Sequence, residues 1–142
     1  MIKIRHTGIV TTSIKKSIWF WCKQLKFKIK KVAVENGTTI DKVLGYKNVK
    51  VKTIKLQDNN KNLVELLFFL NSPKTKKNKM MPYSIGITHI SVTVRDLEKL
   101  YKKLKKNRIQ FNSEPRLSAD KKVLMTYCRT PEGSFLELVE EQ

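Results

Sequence analysis

The chain has 142 residues, 40% of them apolar, enough for one domain or two small fused units with a real core. Its formal net charge is +18, but 25 of the 30 basic residues are lysines, and the excess is spread as +11 over residues 1–70 and +7 over residues 71–142. A nucleic-acid reader favours arginine and exposed aromatics, so this is a lysine-coated surface and nucleic acid is not the expected partner; no run of about eighteen apolar residues marks a membrane span.

Residues 2–10 alternate as a strand, with Ile2, Ile4, His6, Gly8 and Val10 on one face. Ser13 then caps a helix whose apolar stripe is Ile14, Ile18, Cys22 and Leu25, with Trp21 alongside. Residues 26–34 and 48–57 read as strands, separated by NGTTIDKVLG, a loop with at most one helical turn. DNNKN is a hairpin turn, and residues 62–70 form a strongly apolar strand. This first module, residues 1–70, is β-α-β-β-β.

NSPKTKKNKMMPY, residues 71–83, is polar, basic and bracketed by prolines: a linker. The second module, residues 84–142, repeats the order. Strand 85–94 leads to the cap Asp96 and a helix with Leu97, Leu100, Tyr101 and Leu104 on one side. A short strand 109–112, a loop 113–120, strand 121–129, the turn TPEG and strand 134–141 complete it. The fold class is therefore α+β, built from two β-α-β-β-β modules.

His6 and His89 are the only histidines, and each opens the same phrase, HTGIVTTSIKKS and HISVTVRDLEKL. Each is answered downstream by a lone glutamate in an apolar run, Glu65 in VELLFFL and Glu137 in SFLELVE. The separations are 59 and 48 positions, and the surplus of 11 nearly equals the length of NGTTIDKVLG, so one insertion in a repeated unit explains it. A carboxylate buried in a strand needs a cation or a full set of hydrogen bonds. Imidazole and carboxylate together suit a divalent ion, Zn, Ni, Co, Mn or Fe(II). His6, Glu65, His89 and Glu137 are thus the candidate metal ligands. Cys22 and Cys128 have no CxxC partner and no activating motif, so they read as two reduced thiols in a cytoplasmic protein. Residues 1–10 lack the apolar core and cleavage site of a signal peptide.

With these residues laid out, the chain resembles the vicinal oxygen chelate superfamily, which includes glyoxalase I, methylmalonyl-CoA epimerase, fosfomycin-resistance thiol transferases, extradiol dioxygenases and metal-free bleomycin-binding proteins. The matching phrases are HTGIVTTSIKKSIWFW, LVELL, GITHISVTVRDLEKLYKKLKK and TPEGSFLELVE, and together they span essentially the whole chain. The resemblance implies paired modules forming a cupped sheet around a divalent metal, with pairing either inside one chain or across a homodimer. A complete His-Glu-His-Glu set resembles bacterial glyoxalase I, whereas the epimerase usually has glutamine where Glu65 stands. Dioxygenases and fosfomycin enzymes typically use two histidines and one glutamate. The activity so implied is a metal-dependent lyase or isomerase of the glyoxalase I type, moving a proton beside a carbonyl through an enediolate. Glu137, and after it Glu65, is the catalytic carboxylate. Phe69, Met125 and Tyr127 are the candidates to line the substrate pocket, and Arg116 and Lys122 read as ordinary solvated residues. Glutathione-dependent members carry an arginine four residues after the first histidine and an asparagine four after the first glutamate. Here those positions are Val10 and Phe69, which argues against a strictly glutathione-linked substrate. The alternatives are an Fe(II) dioxygenase using two histidines and one carboxylate, or a non-enzymatic binder of a small molecule such as an antibiotic.

Overall fold

The computed structural model describes residues 1–72 and 79–142. The chain divides into two compact units, Met1–Lys77 and Asn78–Gln142, each with its own four-stranded sheet. The expected linker at 71–83 is described only at its ends, because residues 73–78 lie outside the described residues. Among the described residues no helix is long and apolar enough to cross a membrane.

The first unit runs β1 (Thr7–Val10), α1 (Ile14–Ile18) continued by a π-helical turn (Trp19–Gln24), β2 (Lys28–Asn36), α2 (Thr38–Leu44), β3 (Lys50–Gln57) and β4 (Leu63–Phe69). The sheet order is β1-β4-β3-β2, with β1 parallel to β4 and the other pairs antiparallel. Strand alternation puts Ile9, Ile54, Leu56, Val64 and Leu66 on one face, all buried, and α1 packs against β4. The opposite face carries Gly8, Lys55, Glu65, Leu67 and Phe69.

The second unit runs β5 (His89–Thr93), α3 (Leu97–Lys106), β6 (Arg116–Leu117), β7 (Val123–Arg129) and β8 (Phe135–Glu141), in the sheet order β5-β8-β7-β6. Leu136, Leu138, Thr126 and Cys128 are buried on one face, as are Leu97 and Leu104 of α3, which packs against β8. The other face carries His89, Ser91, Glu137, Tyr127 and Met125. Asp96 caps α3 as expected by accepting from the Lys99 amide at 3.2 Å. Glu140 completes that cap from β8, taking the Asp96 and Leu97 amides at 2.9 and 3.0 Å.

Several boundaries differ from the sequence reading, each for a structural reason. The strand expected at 2–10 starts only at Thr7, because β4 begins at Leu63 and offers earlier residues nothing to pair with. The strand expected at 85–94 likewise begins at His89, opposite Phe135, the first residue of β8. Residues 109–112 form no strand, only a bridge from Phe111 to Cys128; the pairing falls instead at Arg116–Leu117, inside the expected loop. A turn at Ser118–Lys121, closed by the Lys121 amide on the Ser118 carbonyl at 2.9 Å with Lys121 at φ 59°, delays β7 to Val123. NGTTIDKVLG holds a full helix, Thr38–Leu44, ended by Gly45 in the left-handed conformation that glycine adopts at no steric cost.

The first helix buries a different face from the expected one. Ser17, Phe20 and Trp21 are fully buried, while Ile14, Ile18 and Cys22 are only half-buried. The helix widens after Ile18, so that the Leu25 amide bonds the Phe20 carbonyl at 3.1 Å, five residues back. Phe20 and Phe27 each meet the Trp21 ring edge-on, at centroid distances of 5.5 and 5.4 Å. Replacing Phe20 with alanine should cost about 3–5 kcal/mol in urea unfolding, the usual loss for a buried phenylalanine. Ile14→Ala should cost clearly less; equal losses would contradict this packing.

Candidate functional site

His6 precedes β1 by one residue, and its Nε2 lies 3.0 Å from Oε2 of Glu65. Glu65 sits in mid-β4, 9% exposed, between buried Val64 and Leu66. Its register partner on β1 is Gly8, two residues beyond His6, where a Cβ would approach the Leu67 side chain to 3.3 Å. On its other side Glu65 pairs with Lys55 of β3, whose Nζ lies 3.5 Å from Oε1. The two carboxylate oxygens are thus held separately, one by an imidazole and one by an ammonium. A carboxylate this buried would be costly without such company.

The second unit repeats the register. His89 opens β5, and Ser91, two residues on, pairs with Glu137 of β8. Nε2 of His89 lies 3.9 Å from Oε2 of Glu137, beyond hydrogen-bond length. The Thr88 hydroxyl lies 3.0 Å from Nδ1 of His89 and so engages that ring nitrogen, leaving Nε2 on the side of the carboxylate. Tyr127 of β7 pairs with Glu137, as Lys55 does with Glu65, and its hydroxyl stands 3.4 Å from Nε2 of His89. Burial, reinforced by the neighbouring Glu137 carboxylate, pushes the Tyr127 hydroxyl above its ordinary value, so it stays a neutral donor at physiological pH.

The expected residues are therefore placed as two local pairs, His6 with Glu65 and His89 with Glu137. Among the described residues no group of three or more His, Cys, Asp or Glu side chains is placed to hold a metal ion. The donor types in each pair do fit a divalent cation: an imidazole Nε2 and a carboxylate oxygen face each other in both. Tyr127 belongs to the second pair. Met125 lies on the same face, opposite Val139, and Phe69 lies on the face of Glu65 but four residues along, about 13 Å at strand spacing, beside Tyr46. Arg116 is tied to Glu114 at 2.9 Å in an exposed ion pair. Lys55 was not among the residues expected from sequence. Its signal is its offset: it precedes Glu65 by ten residues, as Tyr127 precedes Glu137.

A family model for the Glyoxalase/Bleomycin resistance protein/Dioxygenase superfamily matches residues 3–138, and the chain belongs to that superfamily. Solved structures share the fold. A glyoxalase family protein from Bacillus cereus aligns with a TM-score of 0.89 at 21% identity, over 99% of this chain and 95% of that one. Glyoxalase I from Leishmania major, described as trypanothione-dependent, aligns at 0.70 and 19% identity, over 99% and 88%. A glyoxalase family protein from Enterococcus faecalis gives 0.69 and 19%, over 97% of each chain. No curated protein matches the sequence.

The cysteines stand apart from these pairs. Burial pushes the Cys128 thiol up to about 12 and also raises Cys22, against a smaller opposing effect of Lys23. Since the thiolate is the reactive form, iodoacetamide at pH 8 should modify Cys22 slowly and Cys128 only after unfolding. Mass spectrometry of native and denatured protein would check this, and fast native labelling of Cys128 would contradict its burial.

Proposed function

We propose that this superfamily member is a divalent-metal-dependent lyase or isomerase of the glyoxalase I type, with His6, Glu65, His89 and Glu137 as the metal ligands. The observation that carries the reading is the repeated register: in each unit a histidine stands two residues before the partner of a glutamate, and Nε2 faces the carboxylate. The same juxtaposition of imidazole and carboxylate in both units supports one shared role for the two pairs.

The ion, Zn, Ni, Co or Mn, supplies Lewis acidity toward a carbonyl oxygen when bound. The chain's own residues do the proton work. Glu137 takes and returns the proton, because its carboxylate is held less closely: Oε2 is 3.9 Å from His89, whereas Oε2 of Glu65 is 3.0 Å from His6. A carboxylate that carries a proton must be free to swing. Tyr127 offers a neutral hydroxyl beside it, and Met125 and Phe69 add apolar surface on the two faces. Val10 and Phe69 occupy the places that hold glutathione in related enzymes, which supports a small oxygenated substrate not strictly linked to glutathione. The context of this reading is a cytoplasmic homodimer acting on a small molecule.

One observation favours a second reading. With Glu65 paired to the Lys55 ammonium instead of an ion, His6, His89 and Glu137 would be the two-histidine, one-carboxylate set of Fe(II) oxygenases. Elemental analysis and oxygen consumption separate the two.

Zinc should raise the stability of the wild-type protein, by about 2.7 kcal/mol when the free ion is at about 100 times Kd. A His6→Ala, His89→Ala double variant should lose both the bound ion and the shift in Tm, and retention of the metal would remove the site. In a screen of the metal-loaded enzyme against hemithioacetals and acyl-CoA epimers, Glu137→Gln should keep the wild-type circular dichroism spectrum and lose turnover by roughly 100-fold to 10,000-fold. Full activity in that variant would reassign the base.

A further inference from the structure

We propose that Lys55 selects the charge of the substrate: it receives an anionic oxygen, a carboxylate in the simplest case, beside the His6–Glu65 pair. This rests on the metal-centre reading and names the class of molecule that the centre takes.

Three features of the first sheet carry the inference. The contact of Lys55 with Glu65 is loose: 3.5 Å from Nζ to Oε1, against about 2.7–2.9 Å for a tight charge-assisted bond. The Lys55 side chain is 27% exposed, so its ammonium can turn to another oxygen without leaving solvent reach. The surrounding charge is also unbalanced. Lys31 of β2 is the direct cross-strand partner of Lys55, and like charges placed opposite each other destabilise a sheet pair. Lys30, on the same edge strand, reaches Gln57 at 3.5 Å, so it too brings positive charge to this side. Glu65 is the carboxylate in contact with Lys55, and Glu35 stands farther along β2, opposite Val51.

A cation bound at His6 and Glu65 would draw on the same negative charge that Lys55 now uses. The ammonium would then be left beside a second positive charge, with Lys31 behind it. The arrangement becomes favourable when the incoming molecule brings an anion of its own. In the second unit the matching position holds Tyr127, a neutral hydroxyl, so the preference is built on the first sheet alone.

The test uses the full-length protein loaded with Co(II), whose visible spectrum reports both metal uptake and binding of oxalate, a small anion with two chelating oxygens. Lys55→Gln should weaken oxalate binding roughly tenfold, the scale of one hydrogen bond to a charged group, while Co(II) affinity stays the same or rises. Lys55→Arg should keep oxalate affinity close to wild type, and Lys31→Gln should weaken it by a smaller factor. Thermal melts of each variant check folding, and Lys55→Met, which keeps the apolar stem and removes the charge, gives the same readout if Lys55→Gln is unstable. Unchanged oxalate affinity in Lys55→Gln overturns the role of Lys55 and leaves the metal centre standing. Failure of the wild type to take up Co(II) overturns both.

Discussion

A carboxylate set inside an apolar β-strand is the constraint around which each unit is arranged. Glu65 is flanked along β4 by buried Val64 and Leu66, and Glu137 along β8 by buried Leu136 and Leu138. Their side chains must point to the face away from the helix, since the helix-facing side is filled with aliphatic residues. On that face the Glu65 side chain is only 11% exposed and that of Glu137 18%, so each carboxylate depends on the groups beside it. Everything adjacent answers this need. The first strand of each unit ends its approach with a histidine at the right height, and the middle strand contributes Lys55 in one unit and Tyr127 in the other. Gly8 keeps the position across from Glu65 free of a side chain that would press on Leu67.

Much of this was legible in the sequence because it depends on spacing. Two histidines, two apolar-run glutamates and a single insertion give the repeat, and the repeat gives the α+β fold and the order of elements. The boundaries were less legible because they depend on partners. Ile2 and Ile4 continue the alternation of β1, yet β4 has no residue to meet them, so pattern alone overextends the strand. Phe20 escaped the expected stripe because a fixed helical period cannot anticipate a π turn.

Lys55 was missed for a different reason. It is one of 25 lysines, and a lysine between Ile54 and Leu56 reads as an outward residue of an amphipathic strand. Its offset of ten residues from Glu65 matches that of Tyr127 from Glu137, but the match joins two chemically unlike side chains. A repeat compared by residue identity hides such a position. A repeat compared by register exposes it.

That divergence makes the two halves unequal where their ligand-type residues are the same. Glu65 is held at Oε2 by an imidazole and at Oε1 by an ammonium; Glu137 has an imidazole at 3.9 Å and a phenol on the neighbouring strand. A carboxylate bonded at 3.0 Å is positioned, and one whose imidazole stands at 3.9 Å has more freedom. The first pair is therefore the more closely held of the two. The two units share one histidine–glutamate register and differ at one residue on each middle strand, and that residue sets what each carboxylate meets across the sheet.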